Sequence, residues 1–163
     1  MKPTFEVLEL AKEVIATATA KGLTVGTAES CTGGLISGVL TAVPGASAAY
    51  FGGVVTYSNA MKTELLGVPE ALFAGYGAVS EEVARAMAEG ARKRLGVDVA
   101  VSVTGIAGPG GGSAAKPVGT VWIAVAGGEE TLVWRMGYGD VGRDEVRELT
   151  VRDALERVLG AIR

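Results

Sequence analysis

From Val97 to Val103 the sequence reads VDVAVSV, an almost wholly apolar run. A strand with one face in water alternates polar and apolar residues. A strand that does not alternate belongs inside a sheet covered on both faces, the pattern of α/β proteins. The flanking segments agree. Ser80 to Leu95 reads as a helix, with Ser80 as cap, Glu81 and Glu82 at its positive end, and Arg92, Lys93 and Arg94 at its negative end. Residues 4–20 place Val7, Ala11, Val14 and Ala18 on one helical stripe, with Gly22 as C-cap. Leu23 to Ala28 is a short strand, and Leu35, Ile36, Val39 and Leu40 return to helical spacing before Pro44-Gly45. Phe51 to Tyr57 reads as a buried strand, Ala60 to Leu66 as a short helix, and Pro69 opens a further turn or helix. After a glycine- and proline-rich loop from Gly105 to Pro117, Val118 to Ala126 and Thr131 to Tyr138 form an antiparallel hairpin. Arg143 to Ile162 closes the chain as a helix. Strand–helix alternation followed by a hairpin and a helix predicts a three-layer α/β/α sandwich with a mixed sheet. With no repeat or linker, residues 1–163 are expected to form one domain.

Composition narrows the chemistry. Fifteen basic against eighteen acidic residues, a net charge of −3, argue against a nucleic-acid partner. Glu6, Glu9, Lys12 and Glu13 interrupt the first apolar stretch, and no run approaches the ~18–20 apolar residues of a membrane span. The lone Cys31 excludes an internal disulfide and fits a reducing compartment. A cytoplasmic protein without a membrane partner is therefore expected. The sequence has no histidine. That removes Ser-His and Cys-His pairs and every zinc site built on imidazole, so no metal is expected. A catalytic base here must be a carboxylate, a lysine, a tyrosine or water.

Three segments could carry chemistry. Thr27-Ala28-Glu29-Ser30-Cys31-Thr32-Gly33-Gly34 runs from a strand end into a helix, the edge at which open α/β sheets bind ligands. Two glycines in a helix's first turn are costly, and free amides there could hold an anion or an oxyanion. Ser30 or Cys31 could be the nucleophile, and the residues alone do not choose between them. Glu29 could be a base, a hydroxyl binder or a solvated charge. In Thr56-Tyr57-Ser58-Asn59-Ala60-Met61-Lys62, Lys62 falls in the first turn of a helix, where the dipole and any burial would both favour a neutral amine; the alternative is a lysine that snorkels into water. Tyr57 is a core residue or a ligand contact. The third segment runs from Thr104 through Gly105, Gly108, Gly110, Gly111 and Gly112 to Ser113, and its amides could cradle phosphate. It fits neither a Walker loop nor the dinucleotide fingerprint.

Thr-Ala-Glu-Ser-Cys-Thr-Gly-Gly, Val-Thr-Tyr-Ser-Asn, Gly-Ala-Val-Ser-Glu, Thr-Gly-Ile-Ala-Gly-Pro-Gly-Gly-Gly and Lys-Pro-Val-Gly-Thr-Val occur in that order. Together these words resemble the C-terminal domain of the CinA (competence/damage-inducible) family, in its free-standing form. The resemblance implies a five-stranded, mixed, mostly parallel sheet and a homodimer. It also implies hydrolysis of nicotinamide mononucleotide to nicotinate mononucleotide and ammonia, in pyridine-nucleotide recycling, with no cofactor. A serine nucleophile and a lysine carry over to Ser30 and Lys62. Amides around Thr32, Gly33 and Gly34 would hold the oxyanion, with Tyr57 and Thr104 lining the pocket of the nucleotide substrate. Where the family commonly has Gly-Asp-Arg, this chain has Val141-Gly142-Arg143, so Arg143 aligns and the acidic residue is missing or displaced to Asp140. The competing expectation is a nucleotide-binding or interaction module that retains the pocket without chemistry.

Overall fold

The computed structural model describes residues 2–163. It runs α1 (Phe5–Lys21), β1 (Val25–Glu29), α2 (Leu35–Thr41), β2 (Tyr50–Val55), α3 (Asn59–Leu66), α4 (Glu70–Tyr76) and α5 (Glu81–Leu95). There follow β3 (Val99–Gly105), β4 (Thr120–Ala126), β5 (Leu132–Gly137) and α6 (Arg143–Ile162). The five strands form one sheet in the order β2-β1-β3-β4-β5, with β3 in the middle as its apolar run requires. β1 pairs in parallel with β2 and β3, and β4 pairs antiparallel with β3 and β5, so β4 alone runs against the rest.

The two faces of the sheet are built differently. Val99, Val101 and Val103 join Val121, Ile123 and Val125 in a large core beneath α1, α2 and α6. On the other face the intervening positions are mostly small, Ala28, Ala100, Ser102, Ala124 and Ala126, with Trp122 as the large exception. Small side chains let α5 lie close to the strands, and Ser102 Oγ donates to the carbonyl of Ala84 in α5 at 2.6 Å. The result is the three-layer α/β/α sandwich.

One strand departs from expectation. β2 is not buried: it is an edge strand whose residues alternate between half-buried and exposed, with Phe51 62% exposed. Its outer position leaves it with one strand neighbour. Tyr50 pairs with Val25 and Gly52 with Gly26, so Phe51 is an extra, unpaired residue, a β-bulge.

The register brings the candidate segments together. Glu29 pairs with both Val55 and Val103, so β1 and β2 end level, while β3 runs on to Gly105 beside β4. Ser30, Thr56 and Thr104 follow side by side, tied by Ser30 N–H to Val103 O at 3.2 Å and Thr56 N–H to Glu29 O at 2.9 Å. α3, which carries Lys62, is seated on α5 at Gly90, where an added Cβ would stand 2.0 Å from the carbonyl oxygen of Leu66. Backbone cannot yield there as a flexible side chain would. Gly90→Ala is therefore expected to cost about 1–3 kcal/mol of stability, the scale of core overpacking, measured by urea denaturation. An unchanged midpoint would show that α3 does not bear on α5 at this point.

Candidate active site

The turn after β1 is organised by Glu29. Its carboxylate is fully buried and accepts from Thr32 Oγ1 at 2.7 Å, Ile36 N–H at 2.9 Å, Ser37 N–H at 3.0 Å and Ser37 Oγ at 2.7 Å. These are first-turn amides of α2, so the helix N-terminus is already occupied by a side chain of the chain itself. It is not a free anion site as the sequence suggested. Glu29 has its oxygens occupied by four donors, which suits a helix cap and not a base. Gly33 and Gly34 also differ from expectation. They precede α2 instead of sitting in its first turn, at φ +59° and +101°, a left-handed pair that side chains rarely adopt.

Ser30 and Cys31 are sorted by what they touch. Cys31 is buried among the apolar residues beneath α2 and α6, and burial pushes its thiol up to about 12. At neutral pH it is a thiol, a poor nucleophile. Ser30 Oγ lies 2.9 Å from Lys62 Nζ. Ser58 Oγ caps α3 by accepting from Met61 N–H, and Lys62 follows in the first turn, 1% exposed. Its Nζ also donates to the carbonyls of Thr56 at 2.8 Å and Tyr57 at 3.0 Å, and among the described residues it has no carboxylate partner. Burial without an anion lowers its pKa to about 8.

This geometry satisfies both protonation states. The ammonium donates to two carbonyls and Ser30 Oγ. The neutral amine keeps the two carbonyl bonds and turns its lone pair to the Ser30 hydroxyl. Proton transfer between them then needs no rearrangement of the surroundings.

The dyad faces a pocket of about 180 Å³ whose wall includes Tyr57, Thr104, Gly105 and Arg143. At ~30 Å³ per water, that is room for about six waters, or one substituted aromatic ring. Thr104 Oγ1 donates to Ala78 O at 2.9 Å. Arg143 Nη1 donates to Gly108 O at 2.8 Å and Nη2 to the Tyr57 hydroxyl at 3.2 Å, at the exposed rim. Asp140 takes no part in holding Arg143.

The glycine loop divides. Gly105 borders the dyad pocket and Gly108 only holds Arg143 through its carbonyl, whereas Gly110, Gly111 and Gly112 line a separate open depression with Asp140. A Cβ at Gly105, Gly108 or Gly112 would come within 2.6–2.8 Å of Val121 in β4 or of Val118 just before it, so close packing on this part of the chain already accounts for those glycines. Thr32, Gly33 and Gly34 do not line the pocket; Thr32 is fully buried and Gly33 is exposed. Arg147 was not singled out by sequence reasoning. It reaches from α6 to the carbonyls of Cys31 at 3.1 Å and Thr32 at 3.3 Å. Its signal was available: Arg143 and Arg147 stand four apart near the positive end of α6, where cations are disfavoured.

Lys62 leaves a mark on stability. Its folded pKa of about 8 lies below the ~10.4 of an unfolded lysine, so between these values the unfolded chain binds more protons. Stability thus gains with pH across that window. Lys62→Met is expected to be more stable than the parent at pH 7, with the difference shrinking toward pH 10 in urea titrations. A difference independent of pH would mean that Lys62 titrates as a surface lysine does.

The sequence profile of the CinA C-terminal domain matches residues 7–162. A CinA-like protein of Parasynechococcus marenigrum is 52% identical over 150 residues, 91% of this chain and 36% of that protein. One from Geobacter metallireducens is 54% identical over 136 residues, 83% of this chain and 32% of that protein. The chain thus spans about a third of the length of these curated relatives. Among solved structures, the competence/damage inducible protein CihA from Agrobacterium tumefaciens superposes with a TM-score of 0.97 at 48% identity, covering 100% of this chain and 99% of that one. A CinA superfamily protein from Klebsiella pneumoniae superposes with a TM-score of 0.91 at 34% identity, covering 96% and 97%. Fold, ordered motifs and matched length agree, and the chain belongs to the CinA C-terminal domain family.

Proposed function

We propose that this domain is an amidohydrolase that converts nicotinamide mononucleotide and water to nicotinate mononucleotide and ammonia. The observation that carries the reading is the 2.9 Å contact between Ser30 Oγ and a buried lysine amine that no carboxylate holds in its charged form. A pocket of about 180 Å³ accepts the pyridine ring and its carboxamide. The ribose phosphate then lies outside, at Arg143. This shifts the phosphate from the glycine amides to a guanidinium, leaving Gly105 to shape the pocket edge and Gly108 to hold Arg143 through its carbonyl.

In this mechanism neutral Lys62 takes the Ser30 hydroxyl proton as Oγ attacks the amide carbon. The oxyanion develops where Ser30 and Cys31 line the pocket. Protonated Lys62 then gives its proton to the departing nitrogen, which leaves as ammonia, and an ester to Ser30 remains. Water, deprotonated by Lys62, attacks the ester. Its collapse returns the proton to Ser30 Oγ and releases nicotinate mononucleotide. A homodimer would most simply cover the exposed apolar side chains of Phe51, Val55 and Met61.

Purified protein with nicotinamide mononucleotide and EDTA is expected to release ammonia. The rate should rise with pH around the Lys62 value of about 8. Ser30→Ala, Lys62→Ala and Lys62→Arg should each abolish turnover, and combining Ser30→Ala with Lys62→Ala should do little more. An active Lys62→Arg would reduce the lysine to a fixed charge. No ammonia from the parent at micromolar enzyme would favour a binding module.

Phosphate recognition at the rim is tested by substrate choice. Charge-assisted bonds are worth about 1.5–3 kcal/mol each, so nicotinamide riboside should fall behind the mononucleotide by at least about tenfold in kcat/KM. Arg143→Ala should narrow that gap by raising KM for the mononucleotide alone. Equal losses on both substrates would remove Arg143 from phosphate binding.

A further inference from the structure

The nitrogen- and oxygen-bearing side chains that line the dyad pocket are already paired within the protein, with one exception. Ser30 Oγ holds Lys62 Nζ, Thr104 Oγ1 donates to Ala78 O, and Arg143 donates to Gly108 O and to the Tyr57 hydroxyl. Asn59 lines the same pocket, is exposed, and among the described residues its side-chain carboxamide has no hydrogen-bond partner. Its place in the fold sets it beside the base. Asn59 opens α3 and precedes Lys62 by three residues, so the two are neighbours on one face of the helix. Helical side chains lean toward the N-terminus, and Lys62 Nζ accordingly reaches back to the carbonyls of Thr56 and Tyr57, level with the helix start where Asn59 stands. An unengaged carboxamide and the Ser30–Lys62 pair thus border one small space.

We propose that Asn59 is the specificity-determining residue of this pocket and selects a primary carboxamide by pairing with it edge to edge. The asparagine side chain presents a C=O acceptor and an NH2 donor side by side. A primary carboxamide presents the same two groups along one edge, so the two amides complete one N–H to O bond in each direction. Both bonds lie in the plane of the substrate amide and leave its faces open. A hydroxyl adding to the carbonyl carbon approaches from a face, so Asn59 can hold the group while Ser30 Oγ attacks it. The carboxylate product has no N–H. One of its oxygens accepts from the Asn59 NH2, and the other stands against Oδ1, acceptor against acceptor. The contact that draws the amide in does less for the acid that has to leave. The proposal rests on the reading of the domain as an amidohydrolase.

The test is calorimetric binding of nicotinamide mononucleotide and nicotinate mononucleotide to Ser30→Ala protein, which turns over neither, with Asn59 intact, Asn59→Leu or Asn59→Asp. The ratio of amide to acid affinity is the readout, because the ribose phosphate common to both ligands cancels in it. Leucine is close to asparagine in size and removes both bonds. Aspartate keeps the acceptor, loses the donor and adds a negative charge. The ratio is expected to fall by at least about threefold in Asn59→Leu and to rise by at least about tenfold in Asn59→Asp. With Ser30 present, Asn59→Leu should lower kcat/KM on nicotinamide mononucleotide by at least about tenfold. Its melting temperature should match the parent's, since Asn59 is exposed and bonded to nothing in the protein. Equal losses on amide and acid in Asn59→Leu would put Asn59 on the ribose or phosphate and overturn the proposal. So would an unchanged ratio in an enzyme whose parent releases ammonia, which leaves the amidohydrolase reading intact. A parent that binds the amide in this Asn59-dependent way and releases no ammonia removes the hydrolase reading and sustains the selection. Binding of neither mononucleotide at millimolar concentration overturns both.

Discussion

The Glu29 carboxylate, completely enclosed at the end of β1, is the contact on which the site is built. Taking an ion from water is costly, and only a full set of donors offsets that. Two amides of α2, the Thr32 hydroxyl and the Ser37 hydroxyl supply it, with the positive end of the helix behind them. The bonds extend outward, since Ser37 Oγ lies 2.8 Å from both Thr27 Oγ1 and the Tyr50 hydroxyl. β1, α2 and β2 are thereby locked together around one charge. Ser30, the next residue after Glu29, inherits its position from that lock. Without the carboxylate, α2 would keep two buried amides unpaired and the turn would have no reason to take one shape.

Lys62 is the opposite solution to a buried charge. Glu29 is surrounded by four donors to its carboxylate oxygens; Lys62 is given two carbonyls and a hydroxyl, which serve the ammonium and the amine about equally well. The contrast explains how a chain without histidine obtains a group that titrates near neutrality. Desolvation does what a different side chain would otherwise do.

Much of this was legible in the sequence because it rests on local rules. The apolar run in β3, the Ser80 cap and charge gradient of α5, and the hairpin of β4 and β5 all reappear. Lys62 was legible through its position in a helix's first turn, an electrostatic anomaly visible without coordinates. The missed features depend on what lies across space. That β2 is an edge strand follows from sheet order, which hydropathy does not encode, since Phe51 and Val55 read the same whether covered or not. Glu29 as a cap for amides seven and eight residues further on, and Arg147 on carbonyls more than a hundred residues away, are tertiary pairings without a sequence period. The glycines at 105, 108 and 112 misled for a physical reason. Close approach to a ligand and close approach to Val118 and Val121 demand the same missing Cβ.

The bulge at Phe51 bears on what the open side of the sheet can accept. An exposed strand edge is a template, because unpaired N–H and C=O groups invite a further strand by β-augmentation, and so domain swapping or fibril growth. Such addition needs an unbroken ladder. Here the extra residue sits one position into β2, and Gly52 follows at φ +151°, so a continuous run remains only over Gly53, Val54 and Val55. Three residues are a short hold for an incoming strand. The edge that leads into Thr56 and Tyr57, whose carbonyls hold Lys62, is therefore guarded against templated pairing by its own irregularity. The same interruption that leaves Phe51 in solvent keeps foreign backbone away from the lysine cradle.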